Sequence, residues 1–312
     1  MTRLLAFLLG FGAAPPVVAS DPVAYFQSWA HKAGADTALM QVMRNGVAAE
    51  ALMPDTPHDL ASNSKVVTAL CVLALVDEGT LAWDMTLTDA LGQDAPSGTV
   101  AELVTHSAGI GWDSTQLRMG FWLNEVEPRH AHVTDIVLNR GRQRGTRGKF
   151  VYNNENYALL GRIIEQATGE TYSDACRARV FDPAGVSGDL SLRFGGFAAW
   201  GGWRMTMADH AALLWHWFGL EGRVGRDPLA LPHIKRAEGS FYGLGMNYEA
   251  EETGFRMSHA GAIAIPFGPK TGAFAVIYPS GAVAAMGYDV PVAKPAQFHA
   301  LSDGLEPLLR DR

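Results

Sequence analysis

The chain has 312 residues, 48% of them apolar, which is enough for a substantial buried core and excludes a disordered chain. A formal net charge of −7, with acidic and basic residues interspersed, excludes a general electrostatic affinity for nucleic acid or for an anionic membrane. With Cys71 and Cys176 as its only cysteines it is no disulfide scaffold; Cys71 sits in an apolar helical run and reads as a small buried hydrophobe, and a Cys71–Cys176 bridge stays open.

Residues 1–20 read as an export signal: Arg3 opens an apolar stretch over 4–18 that ends in the small residues Ala19 and Ser20. Gly10, Gly12, Pro15 and Pro16 interrupt that stretch, which is also shorter than the ~20 residues of a spanning helix. Cleavage is expected between Ala19 and Asp21, leaving a periplasmic or secreted protein with no stable membrane insertion. No cysteine near that point offers a lipid anchor. Residues 21–312 are expected to form one domain.

After the signal, residues 23–32 read as a helix, and 37–44 and 47–53 as strands joined by Asn45-Gly46, a strong hairpin turn. Pro54 and Pro57 break the sheet, and Ser64–Asp77 forms a helix apolar on nearly every face, as expected of one buried at the centre of its domain. From 78 to 235 the chain is mostly helix and loop, with helices over 157–169, 172–181 and 207–218. Strands return at 242–248, 255–264, 273–278 and 282–288, and a helix over 295–309 closes the chain. This order predicts an α+β fold: one antiparallel sheet built from both termini (21–77 and 236–312) and flanked by terminal helices, with a mostly helical region (78–235) inserted between.

Serine is a poor nucleophile at neutral pH unless a base lies within hydrogen-bond reach. In Ser62-Asn63-Ser64-Lys65, a Ser62 that opens the helix puts Lys65 one turn along on the same face, where burial lowers its pKa towards that of a working base. The helix N-terminus adds free N–H groups that favour developing negative charge. In Tyr152-Asn153-Asn154, a phenol beside a cation can shuttle the proton from Ser62 to a leaving group, while the Asn154 amide either holds a substrate carbonyl or fixes Lys65. The bland reading is that Tyr152 packs and Asn154 caps the following helix. In His259-Ala260-Gly261, on the strand over 255–264, a glycine at a strand edge leaves room for substrate backbone to lie alongside. The N–H groups of Ser62 and Ala262 are then candidates for an oxyanion hole. At its ordinary pKa of about 6.5, His259 is partly charged near neutrality, which predicts a pH-dependent preference for anionic substrates. Arg140, Arg142, Arg144, Arg147 and Lys149, just before Tyr152, are either a solvated face or a second source of that positive charge. These groups supply nucleophile, base and oxyanion donors with no metal and no cofactor.

Taken in order, the three segments resemble the S-x-x-K, Y-x-N and H-x-G or K-T-G motifs of the serine β-lactamase and penicillin-binding protein superfamily, in the branch of class C β-lactamases, D-alanyl-D-alanine carboxypeptidases and related esterases. The likeness extends along the mature chain. Leu103-Val104-Thr105-His106-Ser107-Ala108-Gly109 is similar to the family's LLTHTSG segment, and Tyr152-Asn153-Asn154-Glu155-Asn156-Tyr157-Ala158-Leu159-Leu160-Gly161 to its YSNTNYxLLG. Gly201-Gly202, Ala208-Asp209 and Tyr242-Gly243-Leu244-Gly245 also fall where similar family segments stand. The resemblance implies an acyl-enzyme on Ser62 helped by Lys65, Tyr152 and His259. It implies cleavage of an ester, a D-amino-acid amide or peptide, or a β-lactam, in a small-molecule or cell-wall peptide substrate. The alternative is a catalytically weak penicillin-recognising binding or sensor domain.

Lys270-Thr271-Gly272 spells the third motif literally, but Pro266, Gly268 and Pro269 before it fit a turn better than a central strand. Those three residues are therefore expected in a hairpin loop, with His259-Ala260-Gly261 at the site. Pro266 stands where the family often has Gly, and the loop before Tyr152 lacks the usual Pro-Gly; both reshape the site mouth and weigh against efficient β-lactam destruction. No G-x-S-x-G elbow, H-E-x-x-H zinc motif or P-loop is present, and His130 and His132 show no evident third ligand.

Overall fold

The computed structural model describes residues 21–310 except Gln93 and residues 141–144, so the expected export signal, and Arg142 and Arg144 of the basic run, lie outside the described residues. The sheet begins with β1 (Ala38–Arg44) and β2 (Val47–Leu52), joined by Asn45 and Gly46 at φ 50° and 77°. Two left-handed residues in a tight connection match the twist of the strands they join, which is why this pair forms the expected hairpin. Three short strands, β3 (His58–Asp59), β4 (Asp189–Leu190) and β5 (Trp203–Met205), make a separate sheet in the order β3-β5-β4. The C-terminal part supplies β6 (Ile234–Ala237), β7 (Ser240–Gly243), β8 (Met246–Glu251), β9 (Gly254–Ala264), β10 (Lys270–Ile277) and β11 (Val283–Tyr288).

The main sheet has eight strands in the order β2-β1-β11-β10-β9-β8-β7-β6, every neighbour antiparallel, so both ends of the chain build it as expected. Side chains alternate across it. Met40, Val42, Phe274, Val276, Ala284 and Met286 meet the terminal helices Pro22–Lys32 and Pro295–Leu309 on one face. Leu39, Met43, Ala275, Ile277, Val283 and Ala285 turn to the other, towards the inserted helices. Within that insertion the Ser64–Asp77 helix is enclosed by the Asn154–Thr168 and Ala198–Gly201 helices, which is why its apolar residues wrap the whole circumference. Cys71 and Cys176 are both free, buried thiols. Among the described residues no helix is long and apolar enough to cross a membrane.

The structure corrects the expected elements in three places. The strand expected over 242–248 is the hairpin β7–β8, folded at Leu244 and Gly245 with φ 46° and 79°. A leucine in the left-handed region carries no turn signal in sequence, and only the glycine after it hints at the reversal. The helix expected over 172–181 is Tyr172–Cys176 followed by a wider π turn, Arg177–Phe181. Lys270-Thr271-Gly272 is not loop but the start of β10, with Lys270 opposite Ala264 and Gly272 opposite Ala262. Pro266, Gly268 and Pro269 do make a turn; because β9 runs on to Ala264 and needs a partner, that turn ends before Lys270.

Candidate active site

Ser62 does not open the helix. It sits in the preceding 3-10 turn, Ala61–Asn63, entered through Ala61 at φ 48°, and the helix starts at Ser64. A non-glycine residue in the left-handed region persists only where its surroundings hold it. Here Leu60 N–H donates to the Trp203 carbonyl (2.9 Å), Asn63 Nδ2 to the Ala273 carbonyl (3.3 Å), and Trp203 N–H to the buried Ser64 Oγ (3.0 Å). The turn presents Ser62 half-buried and leaves Lys65 directly beneath it, with Nζ donating to Ser62 Oγ across 3.3 Å.

Lys65 is 0% exposed, and its ammonium also donates to Asn154 Oδ1 (2.8 Å) and the Trp200 carbonyl (2.9 Å). Burial lowers its pKa from 10.5 to about 7, against the smaller pull of the Asp113 carboxylate. Both protonation states therefore coexist near neutrality. Asn154 is the first residue of its helix; Asn153 is the cap, its Oδ1 accepting from Glu155 N–H (2.8 Å). The Asn154 amide oxygen is engaged by Lys65, and its nitrogen donates to Thr115 Oγ1 (2.9 Å). Of the two roles open to it, this geometry matches fixing Lys65.

Tyr152 closes the group. The residue is 43% exposed at the cleft mouth, and its ring rests on His106 (centroids 4.5 Å apart) with the Lys65 ammonium 4.8 Å from its own centroid. Enclosure of the hydroxyl raises its pKa above the usual 10, and a hydrogen bond with Ser62 pulls the other way. His259 is 3% exposed, 6.2 Å from the Tyr152 ring and 6.3 Å from Tyr242. Burial first, then the Lys65 charge, push its pKa down to about 3, against a weaker pull from the Gly245 backbone. His259 is thus neutral across ordinary pH, contrary to the expectation of partial charge: rings and an ammonium surround it, and neither ring nitrogen makes a well-formed hydrogen bond among the described residues.

β9 pairs with β10 through Ala264, but with β8 only as far as Asn247 opposite Ser258. From His259 onward its second edge is open and faces the Ser62 turn. A Cβ on Gly261 would stand 2.7 Å from the Leu60 carbonyl oxygen and 2.9 Å from the Ser62 nitrogen, so glycine is needed for the strand to close on that turn rather than to leave room for substrate. A Cβ on Gly245 would meet Val66 at 2.8 Å, so the β7–β8 tip also packs on the start of the helix. Two clefts meet at Ser62, Tyr152 and exposed Ala262. One of about 450 Å³ runs along the sheet past His259, Asn247 and Arg236; the other, about 350 Å³, is lined by Met119, Phe197, Trp200 and Ile263.

Residues 41–288 match the family model described as Beta-lactamase. The chain belongs to that family. Curated relatives include penicillin-binding protein 4 of Amycolatopsis lactamdurans, 32% identical over 149 residues covering 46% of this chain and 38% of the relative. Another is penicillin-binding protein 4* of Bacillus subtilis, 28% identical over 152 residues covering 44% and 31%. The match thus spans about a third of these relatives' length. Solved structures of like fold include a penicillin-binding protein from Bacillus halodurans (TM-score 0.71, 17% identity, 90% of this chain and 98% of that one). A D-stereospecific amidohydrolase from Streptomyces has a TM-score of 0.71 at 17% identity, covering 89% and 96%. A D-amino acid amidase from Ochrobactrum anthropi SV3 has 0.69 at 18%, covering 92% and 96%.

In this member of the family the third-motif spelling on β10 stands off the site: Lys270 is exposed, and Thr271 Oγ1 lies 3.1 Å from His58 Nε2. Of the described residues of the basic run, Arg140 pairs with buried Glu155 and Arg147 with Glu102, while Lys149 is exposed. His130 points to Glu165 (3.0 Å) and His132 to the Trp122 ring. Among the described residues no three His, Cys, Asp or Glu side chains converge as metal ligands. Sequence reasoning missed Asp113, the Trp200 carbonyl and His106 as a ring platform; His106 alone had a signal, lying in the recognised segment Thr105-His106-Ser107.

Proposed function

We propose that this chain is a serine hydrolase that cleaves an ester, a D-amino-acid amide or peptide, or a β-lactam through an acyl-enzyme on Ser62. The observation that carries this reading is Lys65 Nζ, buried, 3.3 Å from Ser62 Oγ and with a pKa of about 7. At pH 7 about half of such a lysine is free base, whereas a phenol held above 10 is ionised in fewer than about one molecule in a thousand. Lys65 therefore takes the proton as Ser62 Oγ attacks the carbonyl carbon, and protonated Tyr152 delivers one to the departing group. The N–H groups of Ser62 and Ala262 receive the oxyanion. Water then attacks the acyl carbon, gives a proton back through the same pair and restores Ser62. The relatives' names, penicillin-binding proteins and D-amino-acid amidases, support the substrate range, and residues 1–20 support export to the periplasm or beyond.

The test is labelling by a fluorophosphonate, read by intact mass. Wild type and Ser64→Ala should gain one adduct and Ser62→Ala none; an adduct that persists in Ser62→Ala moves the nucleophile elsewhere. Turnover of a chromogenic β-lactam, a p-nitrophenyl ester and a D-alanyl-D-alanine peptide then ranks the substrates. A stoichiometric burst with no turnover on any of them identifies a binding or sensor domain instead.

A further inference from the structure

His259 is neutral, Arg140 and Arg147 are paired with carboxylates, and exposed Lys149 is not among the residues lining the cleft at Ser62, which directs attention to the cations in the cleft wall itself. The large cleft that contains Ser62, Tyr152 and His259 is also lined by two arginines, Arg236 and Arg256. Arg256 is spoken for by Glu251 (2.8 Å) and by Asp303. Arg236 has no carboxylate partner among the described residues. It is exposed on β6, at a break in the β6–β7 register between Lys235 and Ala237. Such a bulge re-aims a side chain, and bulges gather beside active sites for that reason.

Its guanidinium is nevertheless held in place. It lies 4.9 Å from the centroid of Phe150, two residues before Tyr152, and donates to Asn247 Oδ1. Asn247 in turn donates from Nδ2 to the Ser258 carbonyl (3.2 Å), next to His259 on β9. A cationic fork is thus fixed between the Tyr152 segment and the His259 strand. One acidic group shares the wall: Glu249, which accepts from Ser240 Oγ (2.9 Å) and stands opposite Arg256 in register. Arg256 is already matched by Glu251 and Asp303, so Arg236 is the arginine of this wall without a carboxylate partner among the described residues.

We propose that Arg236, positioned by Phe150 and Asn247, is the residue that binds a carboxylate of the substrate, taking the role that a charged third-motif residue would otherwise have. Guanidinium and carboxylate match in a two-pronged geometry that a lysine ammonium cannot reproduce. The proposal deepens the hydrolase reading and rests on it for the term "substrate", but the anion site can be measured without turnover.

Two experiments test it. In Ser62→Ala protein, calorimetric titration with N-acetyl-D-alanine and with its uncharged methyl amide reads the site directly. Adding Arg236→Gln should weaken binding of the acid at least tenfold relative to the amide; Arg236→Lys should fall between, and Arg193→Gln, on a separate groove, should leave the ratio as it was. In the protein with Ser62 intact, the ratio of kcat/KM for a carboxylate-bearing ester to that for its neutral analogue should drop at least tenfold in Arg236→Gln, chiefly through KM. Asn247→Ala should lower it less. If the acid and amide ratios in Arg236→Gln equal those of the parent, the proposal is wrong. Loss of fluorophosphonate labelling with selective acid binding intact would instead sink the hydrolase reading and leave the anion site standing.

Discussion

Two stretches of this molecule could answer to the third motif, and they lie side by side: His259-Ala260-Gly261 on β9 and Lys270-Thr271-Gly272 on β10, with Gly261 opposite Ala273 and Gly272 opposite Ala262. What separates them is pairing. β10 has a partner on each side, β9 and β11, so its backbone donors and acceptors are used by the sheet. β9 loses β8 after Ser258 and keeps an open edge exactly where the Ser62 turn arrives. An open strand edge is ordinarily a liability in a sheet. In the proposed reaction this edge is the one left free to offer backbone groups to a substrate, so the three-letter spelling matters less than the missing neighbour.

Both stretches carry a glycine where an added Cβ forces its neighbours to shift, but the neighbours differ, and this gives the largest expected effect. A Cβ on Gly261 strikes the Leu60 carbonyl and the Ser62 nitrogen, so Gly261→Ala should displace the Ser62 turn and slow fluorophosphonate labelling by about a hundredfold, the scale of a misplacement of about 1 Å. A Cβ on Gly272 strikes the Tyr288 ring and the Val290 carbonyl, on the sheet face packed by the terminal helices rather than on the Ser62 turn, so Gly272→Ala should lower Tm while the molecules that remain folded label at close to the parent rate. The comparison breaks if the two variants lose labelling in equal measure.

Next in size is the pH dependence set by Lys65. Its pKa of about 7 means that labelling should rise about tenfold per pH unit below 7 and level off above it. The same group ties activity to stability. Between about 7 and 10.5 the unfolded chain holds a proton on Lys65 that the folded chain has shed, so folding gains stability as pH rises, at about 1.4 kcal/mol per unit. Lys65→Met lacks that gain. Its stability relative to the wild type should therefore fall as pH rises from 7.5 to 9, by denaturant titration, while it labels at no pH. A difference that does not change with pH would mean that Lys65 is not depressed in the folded protein.

The long elements were legible because their patterns are unambiguous: the Ser64–Asp77, Met207–Phe218 and Pro295–Leu309 helices and the Asn45-Gly46 hairpin stand where periodicity and turn chemistry put them. Ser62, Lys65, Tyr152, Asn154, His259 and Gly261 were nameable because each lies in a short local pattern, and the fold brings them to one place. What sequence could not supply was contact across distance. The Trp200 carbonyl is a backbone atom and has no letter. Asp113 is one acid among many until Asn154 N–H is seen to donate to it at 3.1 Å. The charge of His259 could not be read from a residue type at all, because it depends on the rings and the ammonium around it. Arg236 was invisible for a related reason: β6 itself was not expected, so its bulge could not be.

The smallest expected effect falls on the residue that the literal motif would make the most important. If Lys270 were the working cation of the third motif, Lys270→Gln would remove the charge that anchors an anionic substrate, and kcat/KM for such a substrate would fall at least tenfold. Lys270 is instead exposed at the start of β10, opposite Ala264, and its strand has no free edge towards Ser62. An exposed lysine with no carboxylate partner among the described residues contributes only a screened, long-range field, worth less than about 1 kcal/mol at ordinary ionic strength. Lys270→Gln should therefore change kcat/KM for anionic and neutral esters alike by less than about twofold, and the small change for the anionic ester should vanish in high salt. A tenfold loss confined to the anionic ester would show that charge on β10 reaches the site after all, and that the open edge of β9 is not what distinguishes the two stretches.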